Sequence, residues 1–298
     1  MENPPAKMLV TGSGGQLGSE IVEHLKHKFD VIAADRALLD ITDASLVQAT
    51  LEKSRPSVVV HCAAWTDVDE CERDPQKAMR VNADGTANVA TACKACGALM
   101  VYISTDYVFD GTKKEPYVET DRPSPLSAYG KSKLAGEVAV QSILADYVIL
   151  RTSWVYGSTG RNFVQSITRI GKQQLADRRE GRQVIPIRVV ADQVGCPTRT
   201  VDIAKQLVVI LDSKMRGIVH VSNGGQVSWH QFTLEIFERL QLEVLVEPCT
   251  TEELARPAPR PRYSALENRR LIDAGLNIMP TYRDSLYTFL DEQDKATV

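Results

Sequence analysis

The sequence predicts an α/β protein: a Rossmann-type, doubly wound parallel sheet followed by a smaller C-terminal α/β lobe. Three observations carry this. Short β-branched runs alternate with helical stretches through the first half. These runs lack apolar/polar alternation, as strands covered on both faces do. A glycine cluster, Gly12, Gly14, Gly15 and Gly18, separates the first strand from the first helix.

Taken in order, Lys7–Thr11 is an apolar strand that stops at Gly12. Gln16–Lys28 has helical spacing, with Leu17, Ile21, Val22 and Leu25 on one face. Asp30–Ala34 is a strand ending at Asp35, Ala44–Lys53 a helix, and Ser57–His61 a nearly continuous apolar strand. Gln76–Cys96 reads as one long helix, Ala98–Ser104 as the next strand, Ser127–Ile143 as a helix and Tyr147–Leu150 as a strand. The second half is less regular. Helices are predicted at Val201–Leu211 and Trp229–Leu240, strands at Gly217–Val221 and Leu242–Val246. The charged stretch Asp177–Arg182 reads as a solvated loop, and Arg256–Arg262, rich in proline, as irregular. The expected division is a dinucleotide-binding domain over 1–150 and a mainly substrate-binding lobe over 151–298, with the chain crossing between them.

Composition narrows the function. At roughly 100–200 residues per domain, 298 residues make one large domain or two coupled ones. With 43% hydrophobic and 24% charged residues, disorder, collagen and coiled coil are excluded. Lys plus Arg number 35 against 38 Asp plus Glu, which argues against a nucleic-acid partner. No apolar run reaches the ~18 residues a membrane span needs. Met1–Lys7 lacks the basic and apolar regions of a signal peptide. Six scattered cysteines then suit a cytoplasmic, reducing compartment. Cys93 and Cys96 are read as small apolar residues at helical spacing, since no histidine or second pair completes a zinc site.

The stretch Thr11-Gly12-Ser13-Gly14-Gly15-Gln16-Leu17-Gly18 has the chemistry of a phosphate-binding turn. Small residues let the backbone touch a pyrophosphate, and the helix N-terminus supplies free N–H groups and a positive dipole end. About twenty residues on, Asp35 could accept from a ribose 2′-OH, whereas Arg36 could hold a 2′-phosphate. NADH and NADPH both stay open. Tyr129 and Lys133 form YxxxK, four apart and so on one helix face. A lysine charge beside a phenol is expected to lower its pKa, giving an acid–base group for a carbonyl or alcohol. Thr105, at the end of an apolar strand, is placed to bond the same oxygen. Gly157–Asn162 and Arg260–Ser264 are candidates for the diphosphate and nucleotide side, because arginine and backbone N–H groups suit phosphates.

Together, Gly12/Gly15/Gly18, Asp35, His61-Cys62-Ala63-Ala64, Thr105, Tyr129 and Lys133 resemble the extended short-chain dehydrogenase/reductase family. The blocks Ser104-Thr105-Asp106-Tyr107-Val108-Phe109-Asp110-Gly111, Arg151-Thr152-Ser153-Trp154-Val155-Tyr156-Gly157 and Asp192-Gln193-Val194-Gly195-Cys196-Pro197-Thr198 resemble, within it, the dTDP-4-dehydrorhamnose reductases. The likeness runs from Met8 to Leu290. It implies reduction of the C4 keto group of dTDP-4-dehydro-L-rhamnose by NADPH or NADH. Tyr129 would be the proton donor, Lys133 its tuner and Thr105 its orienter. The implied cofactor contacts are Gly12, Gly14, Gly15, Gln16, Leu17, Gly18, Asp35 and Arg36, with Asp40 and Ile41 beside the adenine. Cys62, Ala63 and Ala64 join Tyr129 and Lys133 further along. The implied substrate contacts are Thr66, Val68, Trp154, Thr105 and Asp106, with Asn82 on the long helix and Arg260 toward the nucleotide.

Two features depart from the family pattern: His61-Cys62 stands where Asn-Ala is frequent, and Gln173–Arg188 is longer than usual. Some members bind Mg²⁺ between subunits. Glu20 matches one such position, but the other ligands are not identifiable, so no metal is predicted. A homodimer is typical of the family. Other readings are a non-catalytic regulatory subunit resembling the β subunit of methionine adenosyltransferase, and a different nucleotide-sugar ketoreductase or epimerase.

Overall fold

The structure is a computed structural model that describes residues 5–295; Met1–Pro4 of the N-terminal reading lie outside it. Six strands form one parallel sheet: β1 (Lys7–Thr11), β2 (Asp30–Ala34), β3 (Val58–His61), β4 (Leu99–Thr105), β5 (Tyr147–Thr152) and β10 (Gly217–His220). Their order is β10-β5-β4-β3-β1-β2. The chain leaves β1 in one direction to β2 and in the other to β3, so a switch point opens above the carboxyl ends of β1 and β3. A crevice at such a point is where open α/β sheets bind ligands.

Apolar helix faces cover both sides of the sheet. On one side α1 (Gln16–Leu25) and α8 (Thr200–Asp212) bury Leu17, Ile21, Leu25, Ile203, Leu207 and Ile210 against Met8, Val10, Val60 and Leu150. On the other, α2 (Ala44–Ser54), α5 (Gly85–Cys96) and α6 (Ala128–Ile143) bury Val47, Leu51, Val89, Cys93 and Val140 against Leu9, Val59, Met100 and Ile149. Val58, Val59 and Val60 of β3 are all buried. At about 1.5–3 kcal/mol per buried aliphatic side chain, this explains a strand without alternation.

The lobe beyond β5 has its own core. Here α7 (Phe163–Arg179), α9 (Trp229–Arg239) and α12 (Tyr282–Lys295) pack around Tyr156, Ile167, Phe232, Ile236 and Phe289. Short strands trim it: β6 (Val155–Tyr156), β7 (Ile187–Val190), β8 (Val194–Gly195), β9 (Thr198–Arg199), β11 (Val227–Ser228) and β12 (Val246–Cys249), with two short helices, α10 (Thr251–Leu254) and α11 (Arg269–Asp273). The chain crosses in both directions: α8 and β10 belong to the sheet half, while Tyr117 bridges to Leu266 in the C-terminal part.

Several expectations need correction. The long helix over 76–96 is interrupted: α4 (Pro75–Met79) leads into a π turn at Arg80–Asp84 before α5. The widened turn seats Asn82 in a polar socket described below; such bulges recur at functional sites. The expected loop at Asp177–Arg182 begins as helix, because α7 runs to Arg179. Gln174 pins that end through bonds to Leu245 and Ile185, and Arg178 and Arg179 suit a helix C-terminus. Arg182 then folds back onto Asp177 and Glu180. The strand expected at Leu242–Val246 lies at Val246–Cys249, since the preceding Leu242 and Val244 are taken up by the lobe core. The helices α7 and α12 had no counterpart in the sequence reading. No helix of the described residues is long and apolar enough to cross a membrane.

Candidate active site

The glycine turn lies at the switch point. Gly12 has φ +66°, and a Cβ there would stand 2.6 Å from the Ala63 nitrogen. At Gly18 a Cβ would collide with the Gly12 carbonyl. Neither position admits a side chain, so α1 starts flush against β1 and β3. Gly15 caps α1 without a side-chain hydrogen bond, leaving the first-turn amides open.

Two compartments meet at this turn. One, of about 490 Å³, is lined by Gly12, Gly14, Gly15, Asp35, Arg36, Asp40, Ile41, Cys62, Ala63 and Ala64. It has the size and the acidic–basic pair suited to an adenosine. Asp35 Oδ1 accepts from the Ala37 and Leu38 amides, both at 3.0 Å, which orients the carboxylate. Trp65 and Lys77 complete the wall, the ammonium 4.1 Å from the indole centroid. The other compartment, of about 450 Å³, shares Gly12, Gly15, Cys62 and Ala64 and adds Gln16, Leu17 and Gly18. It continues to Thr66, Val68, Thr105, Asp106, Tyr129, Lys133 and Trp154. The bare backbone, the uncapped helix start and a cleft passing under both fit a dinucleotide.

The catalytic candidates converge because α6 sits close on β4. Ser127 caps α6 through the Gly130 amide at 3.1 Å, and a Cβ at Gly130 would collide with the Tyr107 carbonyl. This close approach sets Tyr129 beside Thr105, while Lys133, one turn on, lies 4.1 Å from the Tyr102 ring centroid. Tyr107, from the same STDY block, packs edge-on to Tyr129 at 5.7 Å.

The electrostatics correct one expectation. Lys133 was expected to pull the Tyr129 pKa toward neutrality; instead burial pushes it above the ordinary phenol value, with the Thr105 hydrogen bond offsetting only part. Tyr129 is therefore a neutral phenol at pH 7. Burial pulls Lys133 down to about 7, against the raising effect of Glu137. Asp106 is pushed up to about 7 by burial, and its Oδ2 has no hydrogen-bond partner.

Replacing Lys133 by Met is accordingly expected to stabilise the fold while removing activity. A lysine protonated near 10.5 when unfolded but near 7 when folded penalises folding fully below pH 7 and is relieved as pH rises toward 10.5. At about 1.4 kcal/mol per unit this amounts to a few kcal/mol. Urea denaturation of both proteins from pH 6 to pH 10 should show a gap that closes with rising pH; a constant or absent gap would contradict the assignment.

Asn82 does not line the cleft. It is fully buried, accepting from the Trp65 amide at 2.8 Å and donating to the Trp65 carbonyl at 3.0 Å and to Ser132 Oγ at 2.9 Å. Its amide is satisfied by protein, so it ties the π turn to the Trp65 segment and to α6 instead of facing substrate. The same scaffold holds His61. Thr86 donates to the Asn82 carbonyl and so accepts from His61 Nε2, leaving Nδ1 to accept from Thr11 at 2.7 Å. Burial keeps His61 down at about 3, hence neutral. Glu20 accepts from Thr200, tying α1 to α8.

Arg260 lies outside the catalytic compartment too. It pairs with Asp69 at 3.0 Å and lines an adjoining cavity of about 390 Å³ with Arg256, Gln193 and Thr251. Tyr107 and Trp229 line both spaces. Trp154, with φ +45°, stacks on Trp229 at 3.5 Å, and a Cβ at Gly195 would strike its indole. The sequence singles out neither Trp229 nor Tyr107 as a cleft residue, and reaches Arg161 only as part of the Gly157–Asn162 loop. Trp229 served there only as a helix start, and its stacking depends on α9 meeting the loop after β5.

Comparison with known proteins agrees with this geometry. The model of the RmlD substrate-binding domain matches residues 6–295. The chain is 41% identical over 294 residues to the spore coat polysaccharide biosynthesis protein SpsK of Bacillus subtilis, covering 97% of this chain and 99% of that protein. It is 40% identical over 291 residues to a dTDP-4-dehydrorhamnose reductase of Streptomyces griseus, covering 95% and 92%. The crystal structure of the dTDP-4-dehydrorhamnose reductase of Bacillus anthracis in complex with NADP superposes with a TM-score of 0.91 at 40% identity, covering 97% and 99%.

Proposed function

Because this chain belongs to the family of the RmlD substrate-binding domain, we propose that it is an NAD(P)H-dependent dTDP-4-dehydrorhamnose reductase, which converts the C4 ketone of the sugar nucleotide to the alcohol. The observation that carries the reading is a neutral Tyr129 beside Thr105 and Lys133, in one cleft with the glycine turn. A reductase needs a proton donor at rest, and a phenol held above its ordinary pKa is that form.

The turn from Gly12 to Gly18 binds the cofactor diphosphate, Asp35, Arg36, Asp40 and Ile41 take the adenosine end, and Cys62, Ala63 and Ala64 flank the path to Lys133. When bound, the nicotinamide supplies the hydride for C4. Thr105 orients the ketone oxygen by a hydrogen bond, and Tyr129 delivers its phenolic proton to that oxygen as negative charge develops. The charged form of Lys133 stabilises the resulting phenolate. Thr66, Val68, Asp106 and Trp154 hold the sugar, and Arg260 borders the cavity suited to the nucleotide. A cytosolic location belongs to the same proposal, since both substrates are soluble small molecules.

The test is a spectrophotometric assay of purified protein with dTDP-4-dehydro-L-rhamnose generated in situ. Oxidation of NADPH or NADH coupled to dTDP-L-rhamnose formation is expected. Binding of cofactor without turnover would instead indicate the regulatory role, and turnover confined to other 4-keto sugar nucleotides would change the substrate.

A further inference from the structure

The loop between β6 and α7, residues 157–162, comes from the lobe beyond β5, yet it lies across the glycine turn. Three contacts seat it there. Gln16 Nε2 donates to the Arg161 carbonyl at 2.8 Å. The hydroxyls of Ser19 and Thr159 share a hydrogen bond at 2.8 Å. Gly160, at φ +70°, presses on Gln16, and a Cβ there would stand 2.6 Å from Gln16 Cγ. The far end is fixed by Asn162, whose Nδ2 donates to the Gly157 carbonyl at 2.9 Å and whose Oδ1 caps α7 at the Gln165 amide at 3.0 Å.

Arg161 thus hangs between two anchored points. Arg161 lines the catalytic compartment with Gly12, Gly15, Gln16 and Gly18, and among the described residues no carboxylate pairs with its guanidinium. A cation without a partner, beside open amides at a helix start, is placed for an anion.

We propose that Arg161 grips the diphosphate of the bound dinucleotide from the side opposite α1, so that both halves of the chain hold the cofactor. The inference rests on the reading of the cleft as an NAD(P)H site. The diphosphate is favoured over the adenosine 2′-phosphate because Arg161 does not line the compartment of Asp35 and Arg36. It is favoured over the sugar nucleotide's own diphosphate because Arg161 shares its wall with the turn glycines, whereas Arg256 and Arg260 border the neighbouring cavity. A guanidinium fork suits a diphosphate better than an ammonium does.

The test is direct titration of wild type, Arg161→Gln and Arg161→Lys with NADPH, NADH and dTDP, without turnover. Loss of one charged contact is expected to weaken NADPH and NADH alike, by roughly 10- to 100-fold in Arg161→Gln, with Arg161→Lys between it and wild type. The affinity for dTDP should not change. The unfolding midpoint of cofactor-free Arg161→Gln should match wild type, because the side chain is exposed and unpaired. Weakening of NADPH alone would mean a 2′-phosphate contact, and weakening of dTDP alone a substrate contact; either overturns the proposal, as would unchanged affinity for all three. A wild-type protein that binds neither dinucleotide would overturn the functional reading itself, whereas a wild type that binds and turns over beside an unaffected variant removes only this inference.

Discussion

Replacing Tyr129 by Phe is expected to lower kcat by about 10²- to 10⁴-fold, the usual worth of a positioned acid–base group. The substitution removes one oxygen from a side chain whose ring is held on several sides. Tyr107 packs edge-on to it, and the close seat of Gly130 fixes the helix beneath. The ring should keep its place, so cofactor affinity should change little and the deficit should fall on the chemical step. The surroundings leave few substitutes. Asp106 accepts from the Thr105 hydroxyl through Oδ1, and Tyr107 is half-buried with its ring against that of Tyr129. Steady-state kinetics with dTDP-4-dehydro-L-rhamnose decide the matter. An unchanged kcat would mean that the proton reaches the ketone oxygen from another group.

Replacing Arg151 by Met is expected to destabilise the protein by about 3–5 kcal/mol, the cost of leaving a buried ionic partner alone. Arg151 and Glu137 are each 1% exposed and meet through two bonds, Nε at 2.9 Å and Nη2 at 2.7 Å. Ser104 donates to the same carboxylate at 2.5 Å. The pair lies one turn along α6 from Lys133, joining α6, β4 and β5. Without the guanidinium, the Glu137 charge loses its neutralising partner in a site closed to solvent. The double variant Arg151→Met/Glu137→Gln removes both charges and should recover most of the loss. Urea denaturation with unchanged m-values would measure both effects. A single-variant cost below about 1 kcal/mol, the range of surface pairs, would show that the site is solvated.

Strands β1, β3, β4 and β5 were legible because burial on both faces leaves uninterrupted apolar runs, as in Val58-Val59-Val60. The lobe was not, because its core is gathered from Tyr156, Phe232 and Phe289 on distant segments and its strands are mostly two residues long. At the site, the glycine turn and YxxxK could be read because each works within one local element. Asn82 was misplaced because its partners Trp65 and Ser132 are brought to it by the π turn, which no periodicity announces. The direction of the Tyr129 shift was misjudged for a related reason. Spacing on a helix reveals which charge is near, whereas burial depends on everything packed around it. The Gly157–Asn162 loop, with Arg161, could be marked for phosphate by its composition, but only its contact with Gln16 shows that it meets the glycine turn.

The sixth strand of the sheet has a bearing on how the molecule is made. Because β10 lies at Gly217–His220 and pairs with β5, the sheet cannot close until the ribosome has produced most of the lobe. Until then Val148, Ile149 and Leu150 offer an unpaired apolar edge, the kind that captures strands from neighbouring chains. At ~5–20 residues per second the nascent chain stays in that condition for several seconds. A fragment cut after residue 150 would carry the same open edge permanently, so the dinucleotide half should not survive as a separately expressed piece.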